Sequence, residues 1–179
     1  TSIIRLVLSL LFYGVLTSHA QDVETATAKM VGAEQSAPVF FDPGVKVLSE
    51  EEKNEIKAFF TDLRSAEKVK SVKAVQVLAW GDREYPSKNE KASEKQVDLA
   101  EARAAAIKKY LQDDLKLTDV QTHNMAERPS KFSEILKTKD YKVKSSAEAT
   151  GAAPTQGKTG IFEEMGRATT ALLLVDVVK

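Results

Sequence analysis

The stretch Val97-Asp98-Leu99-Ala100-Glu101-Ala102-Arg103-Ala104 opens the segment that decides the fold. From Val97 to Leu111, apolar or small side chains recur at helical spacing, which predicts an amphipathic helix with one buried stripe: Val97, Ala100, Ala104, Ile107 and Leu111. Arg103 falls at the margin of this stripe. Its aliphatic stem can pack there while its guanidinium reaches a cleft.

An acidic residue stands at the end of the strand that precedes this helix. The run Val75–Trp80 has the composition of a strand and leads into Gly81-Asp82. A carboxylate binds an ammonium group, and a planar guanidinium can bind a carboxylate through two hydrogen bonds. A strand end with Asp82 next to a helix with Arg103 therefore predicts a small site for a zwitterionic ligand.

The remaining elements predict an α+β fold with a mixed sheet and two main helices on one face. The first of these helices begins with a capping box, Ser49 and Glu52, and is expected to run to about Ala66. Lys131–Gly160 is expected to be an irregular insertion with a short helix at Ser133–Leu136. The strands are expected at Val39–Asp42, Val72–Trp80, Val120–Met125 and Ala168–Val178, and the second helix at Gln96–Gln112.

The first twenty residues have the pattern of a secretory signal. Arg5 precedes the apolar run Leu6–Leu16, and Ser18-His19-Ala20 supplies small residues for cleavage after Ala20. The prediction is export, with an uncleaved membrane anchor as the alternative, and with residues 21–37 as a flexible tether and residues 38–179 as one domain. The insertion covers about residues 130–160 of that domain.

Composition excludes several functional classes. The 26 basic and 26 acidic residues balance, so the whole-chain charge gives no reason to expect binding to nucleic acid or to an acidic membrane surface. The chain has no cysteine, so we expect no disulfide, no thiol nucleophile and no lipid anchor on a cysteine. His123 stands alone outside the signal, which predicts neither a metal site nor a catalytic triad. We expect no enzyme activity and no cofactor.

The order of elements and several motifs resemble the OmpA-like peptidoglycan-binding domain family of Gram-negative envelopes. The resemblance covers about Val39 to Val178. Its residues are Val39-Phe40-Phe41-Asp42, Ala79-Trp80-Gly81-Asp82, Leu99-Ala100-Glu101-Ala102-Arg103-Ala104, Met125-Ala126-Glu127-Arg128-Pro129 and Gly166-Arg167-Ala168-Thr169. In the second motif only the acid of the family's Gly-His-Thr-Asp is kept, and Trp80 stands in place of the histidine.

The resemblance implies a ligand and a site. It implies noncovalent binding of the diaminopimelate residue of the peptidoglycan stem peptide, with Asp82 at the ligand's ammonium and Arg103 at its carboxylate. Arg167 would support that carboxylate, and Trp80 would lie beside the pocket. The implied protein is a periplasmic adaptor that links an envelope complex, and so a second envelope protein, to the cell wall.

Each site residue also has a structural interpretation. Asp82 could end the strand and cap the following turn. Arg103 could form an ordinary ion pair with Glu101 or with the charged loop Arg83–Lys95. Arg167 could protect a strand edge, and Trp80 could pack in the core. The alternative function is therefore a degenerate OmpA-like domain without wall binding, which acts as a protein-interaction module of a secretion, conjugation or pilus apparatus.

Overall fold

The computed structural model describes residues 28–82, 91–150 and 170–179. Within these ranges, a helical turn at residues 28–31 comes first, and four strands and four helices then follow in the order β1, α1, β2, α2, β3, α3, α4, β4. Their bounds are β1 Gln35–Phe40, α1 Glu50–Ser65, β2 Ser71–Ala79, α2 Glu94–Asp113, β3 Val120–Asn124, α3 Lys131–Ile135, α4 Lys139–Thr150 and β4 Thr170–Val178.

The four strands form one mixed sheet in the order β1-β4-β2-β3. β4 pairs antiparallel with both β1 and β2, while β2 and β3 run parallel. Parallel neighbours need a crossover connection, which α2 supplies between β2 and β3. This confirms the α+β class and the mixed sheet predicted from the sequence.

Both main helices cover the same face of this sheet. Ile56, Phe60 and Leu63 of α1 share one apolar cluster with the α2 stripe and with alternate residues of the strands. The strand and α2 members of the cluster include Val75, Val77, Leu173, Val175, Ala104, Ile107 and Leu111. The shared cluster confirms the predicted placement of two helices on one face.

A further helix covers the opposite face, where the sequence predicted an irregular segment. α4 packs Val143 and Ala147 against Leu78, Leu172 and Leu174, which point away from α1 and α2. The short helix α3 lies close to its predicted position, but the prediction of an irregular segment over residues 139–150 was wrong. Those residues are helical because the second apolar face of the sheet offers them a surface to cover.

The first strand begins earlier than predicted. β1 starts at Gln35, and residues 28–31 before it are helical, with Ala28 and Ala33 buried in the second-face cluster. The predicted tether of residues 21–37 is therefore packed against the domain from residue 28 onward. The predicted signal at residues 1–20 lies outside the described residues. No helix within the described ranges is long and apolar enough to cross a membrane.

Candidate functional site

Three parts of the fold meet at the carboxyl end of β2. The loop between β1 and α1 approaches from one side, residues 80–82 leave the strand, and α2 brings Arg103 against both. The α2 stripe fixes this position because Ala104 and Ile107 are locked in the core beside Arg103. Asp82 and Arg103 lie close together, as the sequence predicted.

The guanidinium of Arg103 is held by three main-chain carbonyls and one carboxylate. Its Nε donates to the carbonyl of Val45 at 2.8 Å, and Nη1 donates to that of Trp80 at 3.2 Å. Nη2 donates to the carbonyl of Asp42 at 3.1 Å and to Oδ1 of Asp82 at 2.8 Å. One side chain thus joins the loop after β1, the end of β2 and helix α2.

Arg103 is completely buried, with 0% of its surface exposed. Burial lowers the pKa of its guanidinium, and the hydrogen bond and negative charge of Asp82 oppose that change. The guanidinium carbon also lies 5.0 Å from the centre of the Phe41 ring, which adds a cation–π contact. A buried arginine stays charged, so Asp82 provides the neutralising charge at this site.

The Asp82 carboxylate reaches the surface where Arg103 does not. Its side chain is 24% exposed. Oδ1 binds Arg103, while Oδ2 accepts a hydrogen bond from the main-chain N–H of Gly44 at 2.8 Å. A carboxylate oxygen has two lone-pair directions, so Asp82 can accept another donor from the solvent side.

Gly81 sets the backbone path just before this carboxylate. A Cβ at this position would overlap Oε1 of Gln96 and lie 2.9 Å from its main-chain oxygen. That Oε1 accepts a hydrogen bond from the main-chain N–H of Asp82 at 2.6 Å. The first turns of α2 therefore hold Asp82 through Gln96 as well as through Arg103.

Of the two other predicted site residues, Trp80 does not extend this arrangement with its side chain. The Trp80 ring is buried in the second-face cluster with Leu78 and Met125, so it lies within the core instead of forming an exposed platform. The contribution of Trp80 to the site is its main-chain carbonyl, which accepts from Arg103. Arg167 lies outside the described residues.

An open cleft of about 1290 Å³ lies beside the first turn of α2. Val97, the residue after Gln96, lines this cleft, and its carbonyl accepts a hydrogen bond from Nδ2 of Asn124 at the end of β3. The far wall is formed by the connection after β3 and by α4. Side chains of both charges line it, among them Arg128, Lys144, Glu127, Glu134 and Glu148.

A second polar cluster lies on the α4 side of the sheet. Buried His123 has its Nδ1 2.9 Å from Oδ1 of Asp140 and its Nε2 2.8 Å from Oε1 of Gln76. The Lys144 ammonium, also buried, lies 3.3 Å from Oδ2 of Asp140. Burial raises the pKa of the Asp140 carboxyl, but His123 and Lys144 outweigh it and the pKa lies below its ordinary value. In the described ranges, no group of three or more histidine or acidic side chains could hold a metal ion.

The sequence analysis missed the main-chain partners of the site and this second cluster. The carbonyls of Asp42 and Val45 and the N–H of Gly44 carry no signal, because every residue except proline has both groups. His123 gave no indication of its partners, because Gln76 and Asp140 come from β2 and α4.

Comparisons with known proteins return no matching family model and no matching curated protein.

Proposed function

We propose that this chain is a divergent OmpA-like protein of a Gram-negative periplasm that binds the peptidoglycan stem peptide and connects it to another envelope component. The observation that carries the proposal is the 2.8 Å pair between Arg103 and Asp82 at the meeting point of β2, α2 and the loop after β1. The resemblance in sequence motifs selected the same two residues.

The pair offers the two charges that an amino-acid end requires. The exposed side of Asp82 is the receptor for the ligand's ammonium group, which is a natural partner for a carboxylate. The ligand carboxylate takes the place of Asp82 Oδ1 at the Arg103 guanidinium. Arg103 is fully buried in the unliganded pair, so binding includes a local opening of this contact.

The neighbouring cleft suits the rest of a stem peptide. Its lining carries both positive and negative side chains, as a chain of peptide units with free amino and carboxyl groups would require. Val97 connects the cleft to Gln96, which binds the main chain of Asp82. We infer that a ligand whose zwitterionic end lies at Asp82 passes Gln96 and Val97 to reach this cleft.

The complete burial of Arg103 favours a second candidate function. With three carbonyls and Asp82 as partners, Arg103 already has the contacts of a structural clamp. In this case the domain has kept the OmpA-like framework and lost the wall ligand. It would act as an interaction module of a secretion, conjugation or pilus apparatus.

The two functions are distinguished by sedimentation of the purified chain with insoluble peptidoglycan. Sacculi with diaminopimelate present a zwitterionic end, whereas sacculi with lysine at that position present an amine alone. The proposal predicts retention on the first that exceeds retention on the second by about tenfold, the value of one charge-assisted contact. Free diaminopimelate should compete with retention.

Asp82→Asn is the decisive variant, and Asp42→Asn is its matched control. Both residues stand at the same end of the sheet, but Asp42 contacts Arg103 only through its main-chain carbonyl. The proposal requires Asp82→Asn to abolish retention and Asp42→Asn to preserve it, with both proteins folded by circular dichroism. If the native chain binds neither type of sacculus, the interaction-module function replaces wall binding.

A further inference from the structure

The described surface has one concentration of exposed apolar side chains that the proposed function leaves unused. Phe132, Ile135 and Leu136 are 70%, 77% and 58% exposed, and they fall within five positions at helical spacing. α3 has no buried residue at all, so it lies on the domain without contributing to the core. Clustered exposed apolar groups of this kind mark an interaction surface.

Lysines flank these three residues on both sides along the chain. Lys131 precedes them, and Lys137, Lys139 and Lys142 follow; all four are exposed. None of the four has an ion-pair partner among residues 28–82, 91–150 and 170–179. The seven side chains together are named here the apolar–lysine patch.

The charge of this segment differs from that of the whole chain. Between Lys131 and Lys142 the charged side chains are the four lysines, Glu134 and Asp140, and Asp140 is paired with Lys144 and His123. The chain as a whole has a formal net charge of zero. Positive charge is thus concentrated where the exposed apolar side chains lie.

The connection between α3 and α4 holds the patch in a defined shape. The main-chain N–H of Thr138 donates to the carbonyl of Ser133, the hydroxyls of these two residues bond to each other, and the N–H of Tyr141 donates to the Thr138 hydroxyl at 3.3 Å. Lys137 within it has a φ of 48°, a left-handed conformation that glycine adopts more easily. A lysine at this strained position adds a charge to the patch that glycine would not supply.

We propose that the apolar–lysine patch docks the protein on the surface of an anionic phospholipid bilayer. Phe132, Ile135 and Leu136 enter the boundary between headgroups and acyl chains, while the lysines bind the negative headgroups around them. A bilayer fits this patch better than a protein groove does. Its charge is spread over a plane and requires no fixed arrangement of the lysines, and its interior needs no complementary shape to receive a protruding turn.

Vesicle binding of the full chain tests this proposal. Because every variant keeps the same residues 1–20, any contribution of the apolar run there is common to all samples. On vesicles with about 30% phosphatidylglycerol we expect binding that is much stronger than on neutral phosphatidylcholine vesicles and is weakened by about 0.5 M salt. Replacing Lys137, Lys139 and Lys142 with serine should weaken binding about 100-fold.

A matched variant replaces three exposed lysines elsewhere, Lys57, Lys68 and Lys95, with serine. It removes the same charge from the chain, so the proposal requires its binding to stay within about twofold of the native chain. Equal losses in the two lysine variants would overturn the proposal, because they would reflect net charge alone. Lys137→Gly should weaken binding by about fivefold while the protein becomes no less stable, which separates the role of this lysine from folding.

Insertion of the apolar side chains is measured directly. Because the sequence lacks cysteine, Ile135→Cys places a single polarity-sensitive fluorophore in the patch. Val47→Cys, at a residue 67% exposed, places it in the loop between β1 and α1. We expect a blue shift with anionic vesicles at residue 135 and none at residue 47. Binding without a shift at residue 135 would overturn the proposal, as would the absence of binding to the anionic vesicles. Neither result depends on peptidoglycan, so this test is independent of the proposed function.

Discussion

The guanidinium of Arg103 is the single group whose loss should damage the fold most. Arg103→Met keeps an unbranched apolar stem but leaves the carbonyls of Asp42, Val45 and Trp80 without this donor and removes the cation beside Asp82. We expect the free energy of unfolding to fall by about 3–5 kcal/mol, measured by urea denaturation. Arg64→Met, which removes an exposed hydrogen bond to the carbonyl of Leu115, should cost less than about 1 kcal/mol. Equal losses would show that Arg103 does not act as a clamp.

Asp140 makes the free energy of unfolding depend on pH in the acid range. Burial raises the pKa of its carboxyl, but the hydrogen bond with His123 and the charge of Lys144 prevail, so the folded pKa lies below the ordinary value of 3.8. The native state then binds fewer protons than the unfolded chain does. This contribution is fully present above about pH 4 and is lost as the pH falls through the lower folded pKa.

The expected result is a smaller loss of stability on acidification in Asp140→Asn than in the native chain. Urea unfolding at a series of pH values from about 6 to about 2 measures it. Asp62→Asn, which removes an exposed carboxylate of α1, is the reference for the loss of one negative charge. An Asp140→Asn profile parallel to that of the native chain would contradict this assignment.

The proximity of Asp82 and Arg103 was predictable, and their mutual bond was not. The strand ends at Asp82, and the α2 stripe places Arg103 at its margin, so local patterns already point both side chains to one region. The burial of Arg103 depends on the loop between β1 and α1, which folds over the guanidinium and contributes carbonyls. The sequence carries no residue-specific signal for that contribution.

Among the elements, α4 contributes packing that a stability measurement can isolate. Val143 is 5% exposed and belongs to the cluster on the second face of the sheet. Val143→Ala removes two methyl groups from this cluster, so the free energy of unfolding should fall by about 2 kcal/mol. Val47→Ala, at a residue 67% exposed, should change it by less than about 0.5 kcal/mol. Similar values for the two variants would mean that α4 is not part of the cooperative structure.

Helices differ in how far the sequence predicts them. α1 begins at the predicted cap, where the Ser49 hydroxyl accepts from the N–H of Glu52 at 3.1 Å, and α2 follows its apolar stripe. The Glu52 carboxylate makes a longer-range contact as well, since it accepts from the N–H of Phe40 in β1. The buried apolar residues of α4 are few, Val143 and Ala147, and they stand among lysines and small polar residues. The helical state of α4 therefore depends on its packing against the sheet.

The whole molecule should unfold in one step, because the two apolar clusters share strands. β2 contributes Val77 to one cluster and Leu78 to the other, so neither face can separate while the sheet persists. Trp80, the single tryptophan, reports on the second face, and far-ultraviolet circular dichroism reports mainly on α1 and α2. Both signals should give the same urea midpoint. An earlier change in fluorescence would show that the α4 side opens separately.

The net charge of zero does not describe how charge is distributed over the surface of this molecule. The balanced composition gave no electrostatic reason to expect binding to an acidic surface, but the balance hides a segregated distribution. Four lysines without ion-pair partners in the described ranges lie around α3, whereas Lys53, Lys73 and Lys109 each pair with an acid. Composition alone cannot show this difference, because it depends on where the fold places each charged side chain.

The position of β4 determines when the sheet can be completed. This strand, formed by residues 170–178, lies between β1 and β2, both of which precede it by many residues in the chain. During synthesis, β1 and β2 have no central partner until the ribosome has added that segment. Contacts between such distant parts of a chain form slowly, so the polypeptide stays unfolded for longer. Such a delay is compatible with the proposed export, because a membrane translocation channel accepts an extended chain.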